Sequence, residues 1–159
     1  MNVTNASRIT PFLWFDQNAE EAADFYVSVF PNSRRLGALQ SDLDSPYLPK
    51  GKPVTVSFEL DGLRFTALNG GPAHANQFNN SISFVVSCET QAEIDDYWAK
   101  LTAGGGEEIA CGWLKDKFGL AWQIVPSRIG ELLSRPKAMQ AMMNMKKLDI
   151  ATLEAAGRE

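Results

Sequence analysis

Few side chains in this sequence are equipped for chemistry, and their spacing matters as much as their type. The stretch CGWLKDKFGLAWQIVP, residues 111–126, sets one amide, Gln123, inside an apolar run. On a strand, Gln123 shares a side with Ala121 and Val125, while Trp122 and Ile124 take the other. An amide there reads either as a polar contact in a ligand cup or as part of a wetted face. The hydroxyls of Ser57, Thr66, Ser81 and Ser83 lie on other strand-like runs and are expected to join Gln123 in such a cup. Glu59 is the carboxylate best placed to enter it. As a general base it would need a raised pKa and a substrate proton within reach.

His74 is the only histidine and sits in GGPAHANQFNN, a loop-like stretch. A zinc site with the usual three protein ligands therefore lacks its donors, and His74 is expected on an exposed loop. Cys88 and Cys111 are far apart, lack zinc-type spacing, and read as reduced thiols. Cys111 would need a nearby base or cation to become a nucleophile, so a buried inert thiol is expected. Trp113, Lys115, Asp116 and Lys117 have two readings. One is the mouth of a cup, where Trp113 stacks on a flat ligand and a lysine meets an anion. The other is a hairpin tip with solvated charges. Met139, Met142, Met143 and Met145 read as a packing surface over the sheet or a neighbouring chain.

The elements that must position these residues follow from periodicity. Residues 9–15 read as a strand. Asn18 is the expected N-cap of a helix with Glu20 and Glu21 in its first turn, and Ala22, Phe25, Tyr26 and Val29 fall on one face. Residues 33–40 read as a strand, and 41–53, with three prolines and a glycine, as a loop. In VTVSFELDGLRFTALNGG, two alternating runs flank Asp61-Gly62, a pair suited to a two-residue hairpin. That turn predicts a register with Leu60 opposite Leu63, Glu59 opposite Arg64, Phe58 opposite Phe65, Ser57 opposite Thr66 and Val56 opposite Ala67. One face is then core and the other wet or cavity-lining. A Glu59–Arg64 pair would hold the carboxylate ionised and favours a structural role for Glu59. Residues 81–87 alternate as a strand, with Ile82, Phe84 and Val86 on one side. Thr90 is the expected cap of the next helix, which stops at the glycines 104–106. Strands follow in 107–117 and 120–125, then two short helices in 136–156, the second capped by Asp149.

The chain repeats this pattern. Residues 9–26 and 81–98 align without a gap, strand then helix, and the last strands correspond with Thr66 matched to Gln123. The expected fold is α+β: two β-α-β-β-β modules, each a curved antiparallel or mixed sheet with a helix on its convex face, plus a C-terminal helical tail. The expected bounds within one domain are about 8–70, 80–126 and 128–157.

Composition narrows the function. Apolar residues make up 45% and charged residues 21% of 159, and the net charge is −4 with a pI near 5.1. That is an ordinary globular composition without the basic patch that nucleic acid requires. No apolar run reaches membrane-spanning length. MNVTNASRIT has no charged segment followed by an apolar one, so no signal peptide is expected and the location is expected to be cytoplasmic.

Paired β-α-β-β-β modules resemble the vicinal oxygen chelate superfamily of glyoxalases, bleomycin-resistance proteins and dioxygenases. ITPFLWFDQNAEEAADFY, FNNSISFVV, GWLKDKFGLAWQIVP and MKKLDIATLEAA make the chain most similar to its PhnB-like group, labelled demethylubiquinone methyltransferase-like. The resemblance implies a homodimer in which modules pair across chains to complete a cup. It also implies a divalent metal held by His, Glu or Gln on the first and last strands of each module. Those places fall here at Thr10 or Pro11, Ser81 or Ser83, Thr66, and Gln123. Only Gln123 is a credible ligand, because proline has no donor and neutral hydroxyls bind first-row metals poorly. The methyltransferase label implies an S-adenosylmethionine site, but NGGP and AGGG are the only glycine clusters, and neither is a glycine-rich turn opening a helix. The reading is a small-molecule binding protein, without a tightly bound metal or other cofactor, whose partly apolar ligand meets Ser57, Glu59, Thr66, Ser81, Ser83, Trp113 and Gln123. The alternatives are a lyase, isomerase or oxygenase with an unusual metal site, and the methyltransferase.

Overall fold

Alternation and turn chemistry build the same architecture twice. The structure, a computed structural model, describes residues 7–159; residues 1–6, which carry most of the N-terminal stretch read above, lie outside the described residues. The chain forms two units, one ending at Gln77 and the other running Phe78–Glu159.

The first unit contains β1 (Phe12–Phe15), α1 (Ala19–Val29), β2 (Arg34–Gln40), β3 (Pro53–Leu60) and β4 (Leu63–Asn69), with strand order β1-β4-β3-β2. β1 is parallel to β4 and the other pairs are antiparallel. The hairpin register is the one the sequence predicts, from Leu60↔Leu63 through Val56↔Ala67. Asp61 and Gly62 both have positive φ (45° and 87°), which two central residues of a type I′ turn require. Val56, Phe58, Phe65 and Ala67 are buried under α1, where Ala19, Ala22, Ala23 and Tyr26 have no exposed surface. The alanines let the helix approach closely, and the Tyr26 ring stacks over Phe58. Phe25, assigned to the core face, is only half-buried.

The second unit contains β5 (Ser83–Cys88), α2 (Gln91–Thr102), β6 (Glu107–Glu108), β7 (Trp113–Lys115) and β8 (Ala121–Pro126), ordered β5-β8-β7-β6. The tail follows as α3 (Ile129–Leu132), α4 (Pro136–Met143) and α5 (Ile150–Ala156). Ile94, Trp98 and Leu101 of α2 are buried, as are Leu114, Trp122 and Ile124 on the sheet. Thr90 caps α2 by accepting from the Glu93 amide at 3.2 Å, and Asp149 caps α5 by accepting from the Thr152 amide at 2.7 Å.

Three local expectations are corrected. The first strand begins at Phe12, not residue 9; Ile9 is 83% exposed, although the Pro11 carbonyl still accepts from Thr66. The fifth begins at Ser83, and Ile82 is 69% exposed instead of core. Asn18 occupies the N-cap position of α1 but its side chain makes no cap bond. Asn69, at the end of β4, does this work instead: its Oδ1 accepts from the Ala19 amide at 2.8 Å and its Nδ2 donates to the Pro53 carbonyl at 2.9 Å. The repeat also needs a gap. α1 and α2 start at matched positions in the ungapped alignment, but Leu13, which is core, then matches Val85, which is 56% exposed. The turn from β1 to α1 is one residue longer than that from β5 to α2, so alternation is offset by one between halves.

Candidate functional site

In the first unit the face away from α1 carries the predicted polar residues. Ser57 and Thr66 are register partners on β3 and β4. Phe12 on β1 is the next partner of Thr66 and Gly37 on β2 the next partner of Ser57, so the four form one row across the sheet. Glu59 lies between Arg64 on β4 and Arg34 on β2. Its ion pair runs to Arg34, Nε to Oε1 at 3.7 Å, and not to Arg64 as the hairpin alone suggested. Glu59 is thus engaged in a cross-strand ion pair, which suits a structural role.

Trp14 shares this face and has no counterpart in the sequence reading. Alternation against the core residues Leu13 and Phe15 was the signal that could have found it. Its indole Nε1 donates to the Gly71 carbonyl at 2.9 Å. Its ring lies so close to Gly70 that a Cβ there would stand 2.3 Å away, so glycine is required. His74 is exposed, as expected, but is not isolated: its ring meets Trp14 edge-on with centroids 4.8 Å apart. Tyr47, from the proline-rich loop, packs against Gly71.

In the second unit, Gln123, Val85 and Trp113 are register partners on neighbouring strands. Gln123 Nε2 donates to Ser83 Oγ at 2.9 Å. The amide that interrupts the strand is thus on the face away from α2 and tied to a hydroxyl two residues along β5 from Val85. Trp113 and Gln123 are half-buried, while their face-mates Ala121 and Val125 are buried. Ser81 stands apart: it precedes β5, is exposed, and its amide donates to Asn79 Oδ1 at 2.8 Å in a turn. The structure therefore brings together Ser57, Glu59 and Thr66 in one unit, and Ser83, Trp113 and Gln123 in the other.

Asp116 is not a solvated hairpin charge. It is 2% exposed, accepts through Oδ1 from the amides of Phe118 (2.8 Å) and Leu120 (3.1 Å), and accepts through Oδ2 from Trp122 Nε1 at 2.9 Å. The DKFG turn and the tryptophan of WQIVP are one hydrogen-bonded unit, which explains why those residue types occur together. Both cysteines are free thiols. Burial, then Glu93 and Glu89, push the Cys88 thiol up to about 11, which keeps it protonated and unreactive at neutral pH. Cys111 is half-buried, not buried as expected, and holds a positive φ of 56°.

A family model described as 3-demethylubiquinone-9 3-methyltransferase matches residues 7–125, both β-α-β-β-β modules almost complete. The chain belongs to that family. It is a PhnB-like member of the vicinal oxygen chelate superfamily. Among solved structures, the PhnB protein from Bacillus cereus is 32% identical over 75% of this chain and 99% of its own, with a TM-score of 0.67. Protein PA1353 from Pseudomonas aeruginosa is 20% identical over 76% and 98%, with a TM-score of 0.61. The fosfomycin resistance protein FosX from Listeria monocytogenes, complexed with Mn(II) and sulfate, is 19% identical over 81% and 98%, with a TM-score of 0.56; it shares the fold. No curated protein matches. No helix among the described residues is long and apolar enough to cross a membrane.

The family match ends before the tail. The segment between α4 and α5 caps the start of β7: the Cys111 and Gly112 amides donate to the Met145 and Lys146 carbonyls, each at 2.8 Å. Gln91 donates to the Leu148 carbonyl and accepts from the Ile150 amide. Lys147 pairs with Asp95 at 2.7 Å, and that hydrogen bond, with a second from Gln91, holds the Asp95 carboxyl below the usual carboxylate range. Within the tail, Arg128, Glu131, Arg135, Glu154 and Arg158 line a cleft of about 270 Å³. Arg128 and Glu154 bridge it at 2.6 Å, so its charges serve packing between helices.

Proposed function

We propose that this PhnB-like protein binds a small, partly apolar molecule on the open faces of its sheets, without a tightly held metal ion. The observation that carries the reading is the Gln123–Ser83 hydrogen bond on the face opposite the α2 core, beside the Trp113 ring. A few convergent polar groups among apolar walls are what small-molecule sites use. Ser57, Thr66 and Glu59 supply the corresponding groups in the first unit. Ser81 enters this set only through its position before β5.

The metal expectation of the superfamily was tested against these donors. The candidate first- and last-strand positions hold Thr10, Pro11, Thr66, Ser81, Ser83 and Gln123. Among the described residues, no group of three His, Cys, Asp or Glu side chains is arranged to hold a metal ion. One amide and several neutral hydroxyls do not fit a catalytic first-row metal. Mn(II) in the Listeria FosX structure keeps a metal-dependent enzyme as the second reading. The family description names a methyltransferase. Gly70–Gly71 lead into turns and Gly104–Gly106 into β6, so neither opens a helix that could receive the carboxylate of S-adenosylmethionine.

Native mass spectrometry of protein purified without chelator tests the reading in one measurement. We expect a homodimer of twice 17.5 kDa, no stoichiometric divalent metal, and a displaceable small molecule. Stoichiometric Mn, Fe, Ni or Zn would overturn it in favour of the metal enzyme. Gln123→Ala should cost less than about 1 kcal/mol of stability, because only one exposed-side hydrogen bond is lost, yet weaken the retained ligand. Unchanged affinity would remove Gln123 from the site. Cell fractionation checks the cytoplasmic location.

A further inference from the structure

The open face of the first unit is graded, and the gradient runs along the strands. One row across the sheet is apolar but for one hydroxyl: Trp14, Leu68, Thr55 and Leu39 are successive register partners on β1, β4, β3 and β2. The next carries Thr66 and Ser57 between Phe12 and Gly37. The third carries Arg64, Glu59 and Arg34. Rows on one face are about 7 Å apart, so the aromatic and cationic rows lie about 13 Å apart.

Each row has features that suit a flat ligand. Phe12 is 58% and Leu39 63% exposed, a high cost for large apolar groups unless something covers them. Trp14 is braced by its bond to Gly71 and by its seat on Gly70, so its ring is fixed in place. A Cβ at Gly37 would meet nothing within 4 Å, so the middle row has room above it at that end. The third row carries two arginines against one glutamate, an excess of one positive charge at one end of an apolar strip.

We propose that this face binds a planar aromatic carboxylate about two rings long. The rings lie over Leu68, between the Trp14 and Leu39 side chains at the ends of that row, polar substituents meet Ser57 and Thr66, and the carboxylate is paired by Arg64 and Arg34. This rests on the small-molecule reading above and adds the ligand's class and orientation. Charge complementarity selects an anion over its neutral analogue. The arginine fork matches a carboxylate in two parallel bonds, and the aromatic row selects flat over flexible chains.

The test uses the whole chain, isotopically labelled, and two planar probes: naphthalene-2-carboxylate and its carboxamide. Amide shifts should move saturably at residues 12–14, 37–39, 55–59 and 64–68. The acid should bind at least tenfold more tightly than the amide. Arg34→Gln with Arg64→Gln should lower the acid's affinity about tenfold and leave the amide's unchanged. Equal affinity for the two probes would overturn the proposal, as would no saturable shift with either. Shifts confined to Ser83, Trp113 and Gln123 would overturn it too, while leaving the broader binding reading intact. If a second copy already protects these amides in the ligand-free protein and neither probe at saturation changes that protection, the face is a seam between copies and the assignment falls.

Discussion

At the scale of single residues, chemistry and structure separate cleanly at Asp116. Its carboxylate holds two backbone amides and the Trp122 indole in a site that is almost completely buried. Asp116→Ala leaves those three donors without a partner, each costing about 1–3 kcal/mol, and should destabilise the protein by at least about 3 kcal/mol. Trp122→Phe should cost less in the Asp116→Ala background than in the wild type, a coupling that urea denaturation of the four proteins measures. The sequence could place Trp122 toward the helix, because alternation around Gln123 demands it. It could not show Asp116 as buried, because a Lys-Asp-Lys run reads as solvated until the turn closes and brings Trp122 back over it. Cys88 gives the pH dependence. Its thiol titrates near 11 when folded against a reference of 9.0, so the unfolded chain loses its proton first. The contribution of Cys88 is therefore fully present below pH 9 and is lost as pH rises from 9 to about 11. Cys88→Ala should flatten the alkaline limb of the stability curve in that window; an unchanged limb would assign it to other groups.

At the scale of elements, what the sequence made legible depended on whether the deciding contact was local. The Asp61-Gly62 hairpin was legible because the turn itself requires positive φ and fixes every pair behind it. The caps at Thr90 and Asp149 were legible for the same reason, since each bonds an amide three residues ahead. Helix α1 shows the converse. Its cap comes from Asn69, fifty residues away in sequence, and Asn18 has the right type and place without the bond. This contrast predicts a ranking. Asn69→Ala removes the acceptor for Ala19 and the donor to Pro53 in a buried setting and should cost about 2–3 kcal/mol. Asn18→Ala should cost less than about 0.5 kcal/mol, well below a working cap. Equal costs in chemical denaturation would mean that Asn18 caps the helix in solution. The offset between the halves arises in the same way: one extra residue in the β1–α1 turn is invisible to an alignment anchored on the helices, yet it inverts which strand residues are core. Of the candidate site, the sequence put Ser57, Thr66, Ser81, Ser83 and Gln123 in one cup; alternation found the strand faces that carry Ser57 with Thr66 and Ser83 with Gln123, but not Trp14, which is ordered by glycines far along the chain.

At the scale of the whole molecule, the tail decides how far this chain departs from its relatives. The Bacillus cereus PhnB protein is matched over 99% of its length by 75% of this chain, and the family match stops at residue 125. The remaining helices are nonetheless built into the second unit. Leu148 and Leu153 have no exposed surface. A Cβ at Gly112 would stand 3.1 Å from both Leu148 and the Ile124 carbonyl, at a φ of 85° that only glycine adopts readily. The Met145 and Lys146 carbonyls take up the Cys111 and Gly112 amides directly before β7, the strand that sets Trp113 beside Gln123. Removing residues 128–159 would delete Leu148 and Leu153, lose their burial, worth about 1.5–3 kcal/mol each, and orphan those amides. That sum rivals the total stability of a small domain. The truncated chain should melt at least 10 °C below the full chain. Hydrogen exchange should speed up first at residues 111–115 and at the start of α2, where Gln91 loses both of its tail partners. A melting point within 2 °C of the full chain would make the tail a passenger. The predicted outcome makes it the brace for the strand that carries Trp113, so mutations far from the Gln123 face, such as Leu148→Ala, would alter ligand binding through the position of β7.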